Sequence, residues 1–163
     1  DLLLDVLPTA PARIADLGCG TGTLSVLLAE EGYDVTGLDV SPEMIARAKA
    51  KARAAEVAVR FQLGDANRPA LTPGAFDVVL ARHVLWAMDD PAVALRRWAE
   101  LLAARGALVL VEGSWHTGAG LSAAETELLV GSVGRGAEIR PMPEPVYWGG
   151  ETGDERYLVV SRR

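Results

Sequence analysis

The most informative segment of the chain is Asp16-Leu17-Gly18-Cys19-Gly20-Thr21-Gly22, a glycine-rich turn. It follows the apolar run 13–17, which is typical of a buried strand, and precedes residues 23–31, whose apolar spacing indicates a helix. Glycines let a backbone pass close to a ligand, and the start of a helix offers unpaired N–H groups beside it. A strand, a glycine turn and a helix in this order predict the first unit of a nucleotide-binding α/β fold.

The spacing of the glycines separates this turn from two other nucleotide-binding loops. A dinucleotide-binding loop would carry its third glycine at position 23, which is Thr23, so the pattern here is G-x-G-x-G. A P-loop is excluded because no Gly-Lys-Ser/Thr follows the turn. The ligand must therefore be inferred from the side chains that accompany the glycines.

Length and charge limit the class of protein. The chain has 163 residues, half of them hydrophobic, which is enough for one domain with a sizeable core. Its net charge is −6 and its pI about 4.9, so a nucleic-acid substrate is disfavoured, because such a protein needs a basic surface. Lys and Arg gather at residues 47–53, where a solvated helix face is the favoured interpretation and a phosphate-binding stripe the alternative. A single cysteine, with no signal peptide or transmembrane run, predicts a cytoplasmic protein that binds no membrane.

Two further helices are predicted from their caps. Ser41 and Pro42 are an N-cap and a first helical residue, and they open the second helix. Asp90 caps a third helix, which is predicted to end at Gly106. Apolar residues at helical spacing form the predicted buried stripes: Met44, Ile45, Ala48 and Ala52 in the second helix, and Leu95, Trp98 and Leu102 in the third.

The other predicted elements complete a sheet. Residues 1–7 are expected to be the tail of a helix, and a capping box at 122–125 opens a fourth helix. Six strands are predicted after the first, at residues 33–40, 59–63, 76–81, 107–112, 137–141 and 156–161. Only turn-forming residues join the last two strands, which are therefore predicted to be antiparallel: Pro143, Pro145, Gly149, Gly150 and Gly153. The predicted fold is a doubly wound, mostly parallel seven-stranded α/β sheet with helices on both faces and an antiparallel last strand, in a single domain spanning residues 1–163.

Four segments carry a resemblance to a known family. After the glycine turn come Asp39 at the end of strand two, Gly64-Asp65-Ala66 after strand three, and Phe76-Asp77-Val78-Val79 in strand four. In this order they resemble the class I S-adenosylmethionine-dependent methyltransferases, over residues 11–113, and residues 148–150 and 154–157 resemble the closing hairpin of that family. The resemblance implies a Rossmann-like methyltransferase fold with S-adenosylmethionine as cofactor. It also implies that the chain lacks the N-terminal segment that often forms a substrate lid in the family.

The acidic residues suit that cofactor on chemical grounds as well. S-adenosylmethionine presents an ammonium, ribose hydroxyls and an adenine amino group, all of which donate hydrogen bonds, whereas an ionised carboxylate only accepts them. The resemblance implies that Asp39 holds the ribose, that Asp65 contacts the adenine amino group, and that Asp16 orders the glycine turn near the ammonium. The alternatives are a helix cap for Asp39, a loop turn for Asp65 and a locally hydrogen-bonded buried acid for Asp16.

Further cofactor contacts are expected beside these acids, and no metal site is predicted. Gly18 and Gly20 are expected to approach the methionine part and the ribose with bare backbone. Cys19 lies between them without an evident base to make it reactive. The remaining expected contacts are Val40 and Met44 as the adenine floor, with core packing as an equal alternative, the Ala66 backbone, and Arg82 after strand four.

The side of the methyl acceptor carries two histidines. A general base is needed only if the nucleophile keeps its proton, and His83 and His116, which follow strands four and five, are the candidate catalytic residues. A structural or substrate-lining role is the alternative for both. Trp86 and Trp115 are expected either to line an apolar acceptor pocket or to pack in the core. Strand four is not followed by the Asn-Pro-Pro-aromatic signature of nucleic-acid and protein methylases, which favours a small-molecule acceptor.

The sequence thus predicts an enzyme that transfers a methyl group from S-adenosylmethionine to a small molecule. The alternative is a non-catalytic S-adenosylmethionine-binding subunit with a regulatory or assembly role. A nicotinamide oxidoreductase is disfavoured by Thr23 and by acids placed where they would repel a pyrophosphate.

Overall fold

Seven strands form one sheet in the computed structural model, which describes residues 2–144 and 153–162. They are β1 (Arg13–Leu17), β2 (Asp34–Asp39), β3 (Arg60–Leu63), β4 (Phe76–Arg82), β5 (Leu102–Ser114), β6 (Glu138–Pro141) and β7 (Glu155–Ser161). The helices within these ranges are α1 (Thr23–Glu30), α2 (Pro42–Ala54), α3 (Pro91–Glu100) and α4 (Ala123–Ser132), with a 3-10 turn at Leu85–Ala87.

The strand order is β3-β2-β1-β4-β5-β7-β6. β1 pairs in parallel with β2 and with β4, whereas β7 is antiparallel to both of its neighbours, β5 and β6. From β1 the strands β2 and β3 are added on one side of the sheet, and from β4 onward the strands are added on the other side. Ligands of such sheets bind at the carboxyl ends of the strands where this order reverses, here between β1 and β4. The predicted doubly wound sheet with an antiparallel last strand is confirmed.

Apolar layers cover both faces of the sheet. On one face Leu95 and Trp98 of α3 are fully buried, and the indole Nε1 of Trp98 donates a 2.8 Å hydrogen bond to the carbonyl of Ala66. On the other face Leu28 of α1 packs with Ile14 of β1. Each large apolar side chain buried in this way contributes about 1.5–3 kcal/mol, so the layers fix the strands that carry the site.

The predicted helix starts are confirmed. The side chain of Ser41 accepts a hydrogen bond from the backbone three residues later, as does that of Asp90. Ser122 and Glu125 form the complete capping box at the start of α4. These side chains satisfy N–H groups that the first turn of a helix leaves unpaired, which is why the sequence located them.

One face of α2 is buried and the other carries the basic residues. Ile45, Ala48 and Ala52 are buried as predicted, whereas Met44 is only half-buried. Arg47 is exposed and forms an ion pair with Glu43 one turn earlier, at 2.6 Å. The stretch 47–53 therefore includes the exposed face of an amphipathic helix.

The predicted end of the third helix is wrong. α3 ends at Glu100, and Leu102 and Gly106, which were expected in the helix and at its end, belong to β5. The N–H of Gly74 donates to the carbonyl of Glu100 at 2.9 Å, and that of Phe76 donates to Leu101 at 3.0 Å. The segment that leads into β4 thus takes up the last helical carbonyls, and the chain joins the sheet earlier than its glycine suggested.

The N-terminal residues also differ from the prediction. Residues 2–6 form turns, not a helix tail, and the N–H groups of Val6 and Leu7 both donate to the carbonyl of Leu3. The turns bring several leucines of this segment against the core beneath α1, whereas a helix would present only one side. Pro145, Gly149 and Gly150 of the predicted closing turn lie outside the described residues, as does Trp148 of the segment that resembles the family's closing hairpin. None of the helices in the described ranges combines the length and apolarity that a membrane span requires.

Candidate functional site

The glycine turn lies at the carboxyl ends of β1 and β2. The N–H groups of Gly18 and Cys19 both donate to the carbonyl of Leu38, at 2.8 and 3.0 Å, which ties the turn to the neighbouring strand. Gly18, Gly20 and Gly22 have φ of 68°, 54° and 72°, a region that other residues rarely adopt. The backbone conformation is therefore already a sufficient reason for glycine at these three positions.

The three glycines also face different surroundings. A Cβ on Gly18 would lie 2.5 Å from Cγ2 of Val84, and one on Gly22 would lie 2.7 Å from Cβ of Ala48. A Cβ on Gly20 would meet no atom within 4 Å. Gly18 and Gly22 thus permit close packing, while Gly20 leaves its backbone open to a ligand.

Two cavities meet at Gly18. The smaller one, of about 110 Å³, is lined by Asp16, the turn, Leu24 of α1 and Arg82 at the end of β4. The larger one, of about 330 Å³, extends past the ends of β2 and β3, and it is lined by Gly18, Asp39, Val40, Gly64, Asp65, Ala66, Asn67, Val84, Ala87 and Met88. We call the two together the cleft; they bring most of the predicted cofactor residues to one edge of the sheet.

Asp39 connects the glycine turn to the start of α2. Its Oδ2 accepts a hydrogen bond from the N–H of Gly20 at 2.8 Å, and its Oδ1 accepts one from Ser41 at 2.9 Å. The helix cap is Ser41 and not Asp39. Each carboxylate oxygen can accept a further hydrogen bond, and Asp39 lines the larger cavity, so a ligand's hydroxyls can reach it.

Asp16 is buried at the base of the smaller cavity, with 2% of its surface exposed. Its Oδ2 accepts a hydrogen bond from Oγ of Ser25 at 2.5 Å. Burial raises the pKa of Asp16 to about 6, against the opposing effects of the Ser25 hydrogen bond and the positive charge of Arg82. A cation bound beside Asp16 would favour its ionised form.

Asp65 lies in a loop turn and also lines the larger cavity. Its Oδ1 accepts hydrogen bonds from the backbone N–H and the side-chain amide of Asn67, at 2.8 and 3.1 Å. This is the local turn that the sequence offered as the alternative for Asp65. Neighbouring Ala66 is held by the indole of Trp98, so the loop that carries the acid is anchored to the core.

Three other expected cofactor residues have different environments. Val40 is 70% exposed and lines the larger cavity. Burial raises the pKa of the Cys19 thiol, and the nearby Asp16 and Asp39 raise it further, which disfavours the reactive thiolate form. Met44 is not among the described residues that line either cavity.

His83 belongs to an aromatic cluster beside the cleft. It has φ of 59°, its ring meets that of Trp115 edge-on at 5.3 Å, and its carbonyl accepts a 3.0 Å hydrogen bond from Trp86. Trp86 and Trp115 meet edge-on at 5.5 Å, and the guanidinium of Arg156 lies over Trp115. Burial, followed by the charges of Arg82 and Arg156, lowers the pKa of His83 to about 4.

His116 lies on the surface, with 84% of its side chain exposed. Its backbone N–H donates to Oδ1 of Asp154 at 2.8 Å, and its Nδ1 lies 3.1 Å from the same oxygen. Within the described residues His116 lines neither cavity. The structure thus places His83 beside the cleft and His116 on an exposed loop.

The sequence analysis missed several residues of the site. Four residues that line the larger cavity were not predicted: Asn67, Val84, Ala87 and Met88. The glycine turn and the acids that follow it in the sequence give no sign of them. They come from the two segments that follow β3 and β4, and only the parallel pairing of the strands brings these segments together. The one available signal was their position directly after a strand end.

A third cavity, of about 450 Å³, lies at the opposite end of the sheet. It is lined by the first turns of the chain, the start of β4 and the first half of β5, with Asp77, Arg105 and Arg162 as its charged residues. Asp77 is held in an ion pair with Arg13 at 2.9 Å. The amino ends of parallel strands are not where such sheets bind ligands, so the cleft is the candidate site.

Comparison with known proteins identifies the family of the chain. The sequence model of the methyltransferase-domain family matches residues 15–110, which include the turn and the three acids. The chain is 40% identical over 108 residues to a demethylmenaquinone methyltransferase of Thermus thermophilus, covering 65% of this chain and 49% of that one. It is 38% identical over 103 residues to a ubiquinone biosynthesis O-methyltransferase of Azorhizobium caulinodans, covering 63% and 41%.

Solved structures share the fold over the whole chain. The cyclase SpnF superposes with a TM-score of 0.87 at 20% identity, covering all of this chain and 78% of that one. An S-adenosylmethionine-dependent methyltransferase from Mesorhizobium loti superposes with a TM-score of 0.80 at 20% identity, covering 99% and 96%. The chain spans about half the length, or less, of the two curated relatives. By its fold, its motifs and the match of more than half its residues, the chain belongs to the class I S-adenosylmethionine-dependent methyltransferase family.

Proposed function

We propose that this protein transfers the methyl group of S-adenosylmethionine to a small-molecule acceptor. One observation carries the proposal: carboxylates at the ends of three neighbouring strands, Asp16, Asp39 and Asp65, line one cleft around a bare glycine turn. Such a cleft accepts hydrogen bonds and attracts positive charge. It therefore suits a cationic nucleoside and would repel the pyrophosphate of a dinucleotide.

The cleft residues divide the cofactor between the two cavities. We assign the amino-acid part to the smaller cavity, where Asp16 would accept a hydrogen bond from the ammonium and Arg82 would pair with the carboxylate. The ribose hydroxyls go to the remaining acceptor sites of Asp39. The adenine would occupy the larger cavity, which Val40 and Met88 line, and Asp65 would accept a hydrogen bond from its amino group. Gly20 fits this assignment because a side chain there would project into open space.

The protein's part in the reaction is to position the reactants. When bound, S-adenosylmethionine supplies a sulfonium methyl group that is electrophilic without activation. Asp16 and the glycine turn would hold the end of the cofactor that carries this methyl group, and the aromatic cluster of His83, Trp86 and Trp115 would form the side of the cleft that the acceptor approaches. Alignment and exclusion of water supply the rate enhancement in such a site.

His83 does not suit the role of a general base. Its pKa of about 4 leaves it neutral at physiological pH and makes it a weak proton acceptor, whereas an efficient base has a pKa near the working pH. We assign it to the acceptor side as a neutral lining residue. The acceptor is then a compound that reacts without a strong base, such as an acidic hydroxyl.

The aromatic cluster indicates which kind of acceptor surface the site can contact. Trp86 is 41% exposed beside the residues that line the larger cavity, and its ring is held by contacts with Trp115. A fixed, partly exposed indole offers a flat apolar surface. We propose that it contacts the ring or chain of a small organic acceptor, and that no nucleic acid takes this place, because the chain is acidic.

The second candidate function is a non-catalytic S-adenosylmethionine-binding subunit. The observation in its favour is the low pKa of His83, which leaves the acceptor side without an efficient base at that position. The cleft acids would serve both functions equally. The two candidates differ only in turnover.

The test has two parts. Isothermal titration with S-adenosylmethionine, S-adenosylhomocysteine and NAD is expected to show binding of the first two. Tight binding of NAD alone would overturn the proposal. Release of S-adenosylhomocysteine is then measured with a panel of phenols, quinols and small carboxylic acids. Turnover with one of them supports the enzyme, and cofactor binding without turnover on any of them supports the non-catalytic subunit.

We also propose that residues 1–163 act as one cofactor-binding domain in the cytoplasm. The seven strands share one sheet, and the sole cysteine, Cys19, is half-buried in the glycine turn, where a disulfide would distort the site. Limited proteolysis is expected to leave one stable fragment that still binds cofactor. Two fragments that separate without loss of binding would contradict the single domain.

A further inference from the structure

Glu112 of β5 is a buried acid that the proposed reaction does not use. Its side chain lies within the fold, with 0% of the residue exposed. Its Oε1 accepts hydrogen bonds from the backbone N–H of Leu85 at 2.8 Å and of Val84 at 3.1 Å. One carboxylate oxygen of β5 thus holds the first residues of the segment that follows β4.

That segment forms one side of the cleft. Val84, Ala87 and Met88, here called the cleft wall, line the larger cavity, and Val84 lies so close to Gly18 that a Cβ there would approach it to 2.5 Å. Because the two N–H groups bonded to Glu112 belong to Val84 and its neighbour, the carboxylate fixes where the wall stands relative to the glycine turn.

We propose that Glu112 is a positioning residue whose carboxylate holds the cleft wall in the cofactor-binding position, so that its charge controls cofactor affinity. This inference rests on the proposed function for the identity of the ligand. Glu112 touches neither cavity and acts through the backbone of Val84 and Leu85. Hydrogen bonds to an ionised carboxylate are about twice as strong as those to a neutral acceptor, so protonation loosens the wall without removing its anchor.

The surroundings of Glu112 allow its charge to change near neutral pH. Burial raises the pKa of Glu112 to about 7, although the hydrogen bonds from Leu85 and Val84 favour the ionised form. Its Oε2 is also buried and meets no hydrogen-bond donor within the described part of the chain, which leaves an oxygen for the proton.

Other titratable groups surround it on two elements. On β7, Tyr157 lies opposite Glu112 and Arg156 follows opposite the next residue. At the end of β4, Arg82 pairs with Val111, and the backbone of His83 also donates to Val111. The buried face of α3 is apolar: Ala94, Leu95 and Trp98. Within the described residues no donor reaches Oε2 of Glu112, and burial is the largest cause of its raised pKa.

The experiment compares the chain with Glu112→Gln, which keeps an oxygen to accept from Val84 and Leu85 but carries no charge. Binding of S-adenosylhomocysteine is titrated between about pH 5.5 and 8.5. Below neutral pH the two proteins are expected to bind alike. Above it the original chain is expected to bind about 3- to 10-fold more tightly, because only its acceptor becomes charged. Glu127→Gln, on the exposed face of α4, is the matched control and should follow the original chain.

A second readout needs neither the variant nor the cofactor. The backbone amide resonances of Val84 and Leu85 are followed by NMR in the original chain across the same pH range. They are expected to titrate together with a midpoint near that of Glu112, and amides without a midpoint there would overturn the inference even if Glu112→Gln did not fold. Coincident pH profiles of affinity in the two proteins would overturn it while leaving the proposed function intact. Absence of binding in both proteins at every pH would overturn the proposed function and this inference with it.

Discussion

Asp39 gives the sharpest test of the cofactor site, because the hydrogen-bond acceptor positions of its carboxylate can be counted. Its carboxylate has four acceptor positions, of which the N–H groups of Gly20 and Ser41 occupy two. The other two match the two hydroxyls of a ribose. Replacing Asp39 with alanine therefore removes two ligand contacts and two backbone anchors at once.

The magnitude follows from the burial of the site. A hydrogen bond to a charged group contributes about 1.5–3 kcal/mol when it is shielded from water. Asp39 is only half-buried, and water can replace part of what the hydroxyls lose. We expect Asp39→Ala to weaken cofactor binding by about 1–3 kcal/mol, which is about 5- to 150-fold in Kd.

The assay is isothermal titration with S-adenosylmethionine and S-adenosylhomocysteine. Asp34→Ala is the matched control, because Asp34 begins the same strand and its side chain forms an exposed ion pair with Arg60, at 2.7 Å. It should bind cofactor as the original chain does. An unchanged Kd in a folded Asp39→Ala protein would refute the assignment of the ribose, since no rearrangement of water can replace both acceptors without cost.

Three further predictions concern stability and packing. Gly18→Ala is expected to weaken cofactor binding at least about 10-fold by titration, because its Cβ would strike Val84; Gly74→Ala has nearly the same φ, 67°, and open space, and should lose stability but not affinity. Tyr157→Phe is expected to lower the free energy of unfolding in urea by about 1–2 kcal/mol, because the buried hydroxyl bonds the start of α4; no change would mean that water replaces it. Because the pKa of Asp16 is raised to about 6, its stabilising effect is present below about pH 4 and is lost as the pH rises through 6. Chemical unfolding should therefore show Asp16→Asn gaining up to about 3 kcal/mol on the original chain over that range, and parallel curves would contradict the burial of this charge.

The sheet was predictable because its signals are local. The glycine turn needs positive φ at three positions, and the caps at Ser41, Asp90 and Ser122 satisfy nearby N–H groups. Each requirement involves residues close together in the sequence. The end of α3 was not predictable, because the carbonyls of Glu100 and Leu101 accept hydrogen bonds from Gly74 and Phe76, which lie 26 and 25 residues earlier in the chain.

The residues of the site also differ in whether their signals are local in the sequence. Each acid could be located from its strand, because Asp16 and Asp39 lie at the ends of β1 and β2 and Asp65 comes directly after β3. The cleft wall could not, because Val84 reaches the glycine turn only when β4 lies beside β1, and it stays there through a glutamate of β5. Glu112 itself sits in an apolar run, where the sequence gives no sign of the two N–H groups that it accepts.

The structural and ligand-binding roles of Asp39 are not alternatives. Both of its oxygens accept from backbone N–H groups, so an asparagine would turn its own donor toward Gly20 or Ser41. The turn alone thus favours a carboxylate here, and the identity of the residue does not prove a ligand. What indicates the ligand is the remaining acceptor capacity, open to the same cavity as that of Asp65. A turn needs only one acceptor for each N–H, and the unused capacity at two strand ends matches a ligand that donates at two places.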